Sequence, residues 1–328
     1  IRRRFAFAVA LRVEAPAFRR GEYVTEFLSS IGISQPVIQF MLINAILGMS
    51  IYLTLYTGMF SLANAGFMAL GAFTGVILTQ RLGLPIGLGV IGGMILPGII
   101  ALPIGLPVLR LRDIYLAIAT IGFGEVVRIL ILNFDSIVGG IVGERVEITG
   151  GALGIKQIPK LTETWHLIVF LVLISFFVIR LHRSRFGRAM AAIRQDEKVA
   201  ANMGIDTVYI KSVVFIMSAM IAGGAGALSG HLTRIISPSD FGFDQAVQIL
   251  AFAVLGGTST WLGPIIGGVV LTGLPEVLRF ADQFRGVING LVLMLMIVYV
   301  PGGLVNPAGW RRVIRRLRGR TRTEGQSM

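Results

Sequence analysis

The sequence predicts an all-α, polytopic membrane protein, and three observations predict it. Only 14% of its 328 residues are charged while 54% are hydrophobic; a soluble domain carries about 25% charged residues. The mean hydropathy is +0.79. Apolar stretches close to the roughly 20 residues that cross a bilayer recur along the chain, separated by short polar or basic turns. A soluble enzyme and a single-span anchor are excluded. About 8–10 transmembrane helices are expected, some broken by Gly or Pro.

Taken in order, residues 1–35 are the least regular. The apolar run 5–13 contains Arg12 and is followed by Glu14, Pro16, Arg19 and Arg20, too short and too charged to span. No convincing cleavage site follows. The segment reads as basic and surface-lying, or as a degenerate first span. Residues 37–56 form an apolar helix after Pro36, and 60–79 a second one rich in small residues. The third, 85–109, holds Pro97, Pro103 and Pro107 and is expected to kink or break. Spans 114–132, 165–181 and 209–230 follow. Residues 246–255 and 261–278 are short and Gly-interrupted, and 286–300 closes the set before a basic tail, 305–328.

The charges orient these spans. The net charge of +13 comes from 30 Lys+Arg against 17 Asp+Glu. The stretch 182–211 holds Arg183, Arg185, Arg188, Arg194, Lys198 and Lys211, and the tail holds seven arginines between Arg311 and Arg322. Both read as cytoplasmic by the positive-inside rule. The loop 133–164, with three basic and four acidic residues, reads as external. Counting back, residue 36 starts outside, although 1–35 carries six arginines; one more span would remove that conflict. The positive charge belongs to membrane loops, so nucleic acid is not an expected partner. Zero cysteines exclude disulfides, thiolate metal sites and cysteine nucleophiles. Three histidines far apart in sequence give no metal centre.

No G-x-x-x-x-G-K-[ST], G-x-S-x-G or H-E-x-x-H occurs, so neither a nucleotide site nor a hydrolase site is expected in this chain. Glu125 and Arg128 stand three apart on one face of a span, where isolated charges cost about 2.5–3.5 kcal/mol each. They are candidates for a pathway or gate, or for an ion pair that locks helices. Asn44 and Asn64 also lie within spans, as pathway candidates or as interhelical hydrogen-bonding groups. Gly256 and Gly257 follow the first short segment and Gly263 and Pro264 open the second; together they mark a discontinuous helix pair of the kind that lines transport pathways. The stretch 185–204 is polar and helix-prone from Gly187 to Gly204. Its alanines give a smooth face, with Arg188, Arg194, Glu197 and Lys198 as polar handles; a solvated loop helix is the plainer alternative.

Several of these stretches together resemble one family. Residues 183–204, with Ala200, Ala201 and Gly204 as an A-A-x-x-G core, resemble the cytoplasmic coupling segment of ABC importer permeases. S-L-A-N-A-G-F-M-A-L-G-A-F (61–73), R-D-I-Y-L-A-I-A-T-I-G-F-G-E-V-V-R (112–128), T-G-G-A-L-G-I (149–155), V-L-G-G-T-S-T-W-L-G-P-I-I-G (254–267) and V-Y-V-P-G-G-L (298–304) resemble, in order and at matching spacing, segments of branched-chain amino-acid permeases of the LivM type. The likeness covers about 36–304. The chain departs from that pattern in lacking a clear N-terminal span, in Asn64 where relatives often have His, and in Val300 in place of a basic residue.

The resemblance implies an ABC importer permease fold in a prokaryotic inner membrane, with the C-terminus cytoplasmic. It implies a permease domain over 36–304 that translocates leucine, isoleucine and valine, with urea or short amides as the alternative cargo. It implies a homologous second permease of LivH type, two ATPase subunits docked on 185–204, and an external binding protein. ATP and Mg would sit on the ATPases, so no cofactor is expected in this chain and it is not itself an enzyme. A secondary transporter or a channel is the rival class; it needs embedded ionisable groups, of which the spans offer mainly Glu125. A structural scaffold is the third class, and the coupling segment argues against it.

Overall fold

The structure, a computed structural model, describes residues 34–111, 113–143, 148–277, 290, 294 and 303–305. Nearly all of the N-terminal segment 1–35, almost all of the expected span 286–300 and the arginine tail fall outside these residues. Among the described residues there are ten α-helices and two short 3-10 turns, with one isolated antiparallel bridge between Ile155 and Ile236. The helices are α1 (Gln35–Tyr56), α2 (Asn64–Arg81), α3 (Ile86–Val108), α4 (Asp113–Val142) and α5 (Thr164–Arg183). They continue with α6 (Arg185–Gln195), α7 (Glu197–Asn202), α8 (Thr207–Thr233), α9 (Phe243–Gly256) and α10 (Leu262–Val277). The turns are Gly151–Leu153 and Pro238–Phe241.

Among the described residues five helices, α1, α3, α4, α5 and α8, are long and apolar enough to cross a membrane. The larger number read from the sequence also counts α2, α9, α10 and the stretch 286–300, which lies almost wholly outside the described residues. Twelve of the 18 residues of α2 are buried, and α9 and α10 are short.

The centre of the bundle is α1, α2 and α8, with α3 laid across α2 and α8. Small residues make this possible. An added Cβ on Gly71 would lie 2.1 Å from the Gly223 carbonyl oxygen, and one on Gly223 would lie 2.2 Å from that of Gly93. The backbones of α2, α8 and α3 therefore touch, which only glycine permits. Around this centre, α3, α4 and α5 turn large apolar residues outward. On α3 these are Leu88, Ile91, Ile95, Ile99, Leu102 and Leu106, a stripe at helical spacing. Such a stripe suits hydrocarbon rather than water.

Of the two outcomes expected for α3, a kink or a break, the break is absent: the span runs as one helix despite its three prolines. Each proline removes one donor to the i−4 carbonyl, and a packed helix tolerates that where neighbours support it. The fourth span does not stop at residue 132 but continues as α4 to Val142, well into the stretch read as loop. Asp135 explains the polar end. Its Oδ1 accepts from the backbone N–H groups of Ile148 and Thr149 (2.9 and 2.8 Å) and from Thr149 Oγ1 (3.1 Å), and its Oδ2 from the Gly150 N–H (2.8 Å). One carboxylate thus folds the T-G-G loop back onto the helix end.

Candidate functional site

The polar segment after α5 is built by its caps. Ser184 Oγ accepts from the Gly187 N–H (3.2 Å) and starts α6. Asp196 is extended (φ −158°), so the helix expected from 187 to 204 is in fact two. It ends α6 and starts α7, accepting from the N–H groups of Lys198 (2.8 Å) and Val199 (3.1 Å). The A-A-x-x-G core has a local reason. Gly204 is left-handed (φ +83°), the Ile205 N–H reaches the Ala200 carbonyl (3.2 Å) and the Gly204 N–H that of Ala201 (3.0 Å). That pairing is a Schellman C-cap, whose left-handed position favours glycine.

The faces of α6 and α7 also resolve. Gly187, Met190, Ile193 and Ala200 are buried against the bundle, Ala200 at 2% exposure. Arg185, Arg188, Lys198, Ala201 and Gly204 are exposed, beside Val199 (53%) and Met203 (79%). Ala200 and Ala201 therefore do not share one outward face as the sequence reading had them. Two expected handles are held by the bundle. Glu197 Oε1 pairs with Lys211 Nζ (2.7 Å) near the start of α8, and Lys211 is buried. Arg194 Nη1 donates to the Thr258 carbonyl oxygen (3.3 Å) and Nη2 to Thr258 Oγ1 (3.1 Å). Its guanidinium carbon also lies 6.0 Å from the centre of the Tyr56 ring, within cation–π range.

Thr258 stands in the turn between α9 and α10, the discontinuous pair that the glycine cluster predicted. Gly256 and Gly263 pack backbone to backbone: a Cβ on Gly256 would lie 1.7 Å from the Gly263 carbonyl oxygen. Gly257 has φ +95°, and Gly303 lies against it. The Leu304 and Val305 N–H groups bond the carbonyls of Leu255 (3.0 Å) and Gly256 (3.2 Å), tying residues 303–305 to the same turn. Pro264 touches α1, since a Cβ on Gly48 would lie 2.9 Å from its carbonyl oxygen. Beneath Arg194, Tyr56 is 4.2 Å from the His182 ring and 5.6 Å from that of Tyr52. Tyr52 Oη and His182 Nε2 are buried without a hydrogen-bond partner among the described residues.

The other pathway candidates lie apart from this end. Asn64, 2% exposed, donates from Nδ2 to Ser50 Oγ (2.8 Å) and Ser218 Oγ (3.0 Å), joining α2 to α1 and α8. Asn44 Nδ2 donates to Thr272 Oγ1 (2.9 Å), joining α1 to α10, and Asn44 also lines a cavity of about 250 Å³. That cavity is at the opposite end from α6. It lies beside Phe40 near the start of α1, where Gln39 Nε2 donates to Thr164 Oγ1 (3.0 Å) at the start of α5. Glu125 and Arg128 pair with each other, Arg128 Nε donating to Glu125 Oε1 (2.9 Å) and Nη2 to the same oxygen. The named residues thus divide among the α6 end, the far cavity, the Asn64 tie at mid-bundle and the Glu125–Arg128 pair within α4.

Sequence reasoning missed Thr258 and Tyr56 as members of the α6 end, and placed Lys211 and His182 in that stretch without their partners. Lys211 gave a signal: a cation a turn inside a long apolar helix must find a partner. A threonine in a glycine turn gives none.

A helical bundle with an outward apolar belt, whose Gly-broken helix pair is tied to a polar helical segment, has the plan of a multi-span transport permease. The chain belongs to the family described as branched-chain amino acid transport system / permease component, which matches residues 33–301. Over 297 residues it is 32% identical to the high-affinity branched-chain amino acid transport system permease protein LivM of Salmonella typhimurium, an alignment covering 80% of this chain and 66% of that protein. LivM of Escherichia coli K12 gives the same figures. The chain thus spans just under two thirds of the length of these relatives. LivH of Escherichia coli K12 is 31% identical over 142 residues, 42% of this chain and 45% of that protein. No solved structure matches.

Proposed function

We propose that this chain is one of two permease subunits of an ATP-driven importer of branched-chain amino acids, with α6–α7 as the docking segment for an ATPase subunit. The carrying observation is the outward face of that segment. Val199, Ala201 and Met203 stand exposed among Arg185, Arg188 and Lys198, while Ala200 and Ile193 anchor the segment to the bundle. A rim of basic groups around exposed apolar residues fits a protein partner. The relatives' names supply the rest of the reading. LivM and LivH are permeases of one kind of transport system, which fits a second permease of LivH type beside this chain.

In this reading the α6–α7 end faces the cytoplasm of a prokaryotic cell, as does the C-terminus, and the opposite end receives substrate from an external binding protein. ATP and Mg act on the ATPases, and this chain holds neither. ATP binding would favour one of two arrangements of the bundle through its differential interaction with the docked segment. Arg194 would carry the displacement of α6 to the turn at Thr258, hence to α9 and α10. An ion-coupled secondary transporter fits less well, because Glu125 is committed to Arg128.

Replacing Ala201 by Glu tests the docking. The side chain is exposed, so the chain is expected to insert normally, while co-purification of the ATPase and ATP-driven uptake both fall. Full transport by Ala201→Glu would refute docking at this face.

A further inference from the structure

The importer reading does not say where in this chain an amino acid would rest. The cavity of about 250 Å³ at the end away from α6 has two chemically distinct walls. One is apolar, formed by Phe40 and Ile43 of α1, Met68 of α2 and Phe241. Ile43, Met68 and Phe241 are buried, so packing fixes this wall. The other holds Asp240 and, on α9, Gln245 and Gln248. These two glutamines are three residues apart and so share a helix face. Gln245 Nε2 already reaches Met68 Sδ (3.8 Å), which sets its amide at the seam between the walls. Asp240 Oδ2 accepts from the Ser237 N–H (2.9 Å), which fixes the carboxylate and leaves it acceptor capacity for more. Among the described residues no lysine or arginine lines the space.

One carboxylate, the two amides of Gln245 and Gln248, and an apolar wall match a zwitterion with an aliphatic tail; the third lining amide, Asn44, is already held by Thr272. The volume equals roughly eight waters at about 30 Å³ each, the scale of a small amino acid. We propose that this cavity is a site for a free aliphatic α-amino acid. Its ammonium meets Asp240, its carboxylate takes N–H groups from Gln245 and Gln248, and its side chain lies on Phe40, Ile43, Met68 and Phe241. The proposal rests on the importer reading and deepens it. Amide donors hold a carboxylate less tightly than the paired bonds of arginine, which suits a site that must release its ligand. Urea would leave the apolar wall wet, and an organic anion without an amine would face Asp240 unpaired.

The test uses the full complex of this chain with its partner permease, ATPases and binding protein, reconstituted in vesicles. In Asp240→Asn the amide oxygen still accepts from Ser237, so the turn is kept. KM for leucine is expected to rise about ten- to hundredfold, the loss of one charge-assisted hydrogen bond, with the ATPases still bound. A second readout does not depend on that variant. The chain has no cysteine, so Ser229→Cys, in the cavity lining, places a single thiol there for a water-soluble maleimide. Leucine should slow its labelling, whereas 4-methylpentanoate, which lacks the amine, and 3-methylbutylamine, which lacks the carboxylate, should not. Normal leucine uptake with an unchanged KM in Asp240→Asn and no protection of the thiol overturns the cavity site and leaves the importer reading standing. Carriage of urea but not leucine by the unaltered complex overturns both.

Discussion

Gly71→Ala and Gly223→Ala are expected to abolish the folded chain, although alanine is the better helix former by about 1 kcal/mol. Propensity loses here because the space does not exist. The new Cβ at 71 would sit 2.1 Å from a carbonyl oxygen of α8, and at 223 it would sit 2.2 Å from one of α3. These are backbone atoms of the central helices, so no rotamer change can relieve the overlap. The helices must separate, and with them go the bonds of Asn64 to Ser50 and Ser218 that cross the same centre. Overpacking a core costs about 1–3 kcal/mol even when side chains can yield. Gly87→Ala in α3 is the control, because nothing lies within 4 Å of its added Cβ. There, propensity should decide, and the variant should be at least as stable as the parent. Size-exclusion profiles and thermal denaturation in detergent read all three. Parent-like behaviour of Gly223→Ala would show that α2, α3 and α8 do not meet as described.

Arg194→Ala is expected to uncouple ATP hydrolysis from transport in the assembled complex of the importer reading. The residue makes two hydrogen bonds to Thr258 and lies over Tyr56, so it joins α6, α1 and the turn between α9 and α10. Its loss leaves α6 anchored by Met190 and Ile193, which keeps the ATPase docking face in place. What goes is the tie to the broken helix pair. ATP consumed per leucine carried should rise about five- to thirtyfold, as losing roughly 1–2 kcal/mol of coupling would give. Thr258→Val should shift the ratio in the same direction, since one of the two bonds goes to its hydroxyl. An unchanged ratio, with the ATPases still co-purifying, would mean that force enters the bundle by another route.

The spans were legible because apolar runs bounded by Pro, Gly and charge leave few alternatives. The Gly256–Pro264 cluster marked the break between α9 and α10 because it joins Gly256–Gly257 to a Gly-Pro pair; glycines alone do not mark one, since the equally dense ones of α8 lie inside a continuous helix. Other features depend on partners far away in sequence. Nothing local showed that α4 passes Asp135, because its polar end is stabilised by the N–H groups of residues 148–150. The division at Asp196 was hidden by the helix propensity of its neighbours, since a cap at mid-segment looks like an ordinary acidic residue. Arg194 and Glu197 read as outward handles because charge in a cytoplasmic loop usually is, yet both are held by the bundle. The 250 Å³ cavity collects residues from four helices and a turn, and Gln245 and Gln248 by themselves carry no signal.

Uptake of labelled leucine, isoleucine and valine into vesicles holding the complete complex is the most direct measurement of the central claim. Uptake should require ATP and the binding protein, and should stop when the ATPase subunits are inactivated. Uptake that persists with the ATPases inactive, or a complex that carries urea and none of the three amino acids, would contradict it.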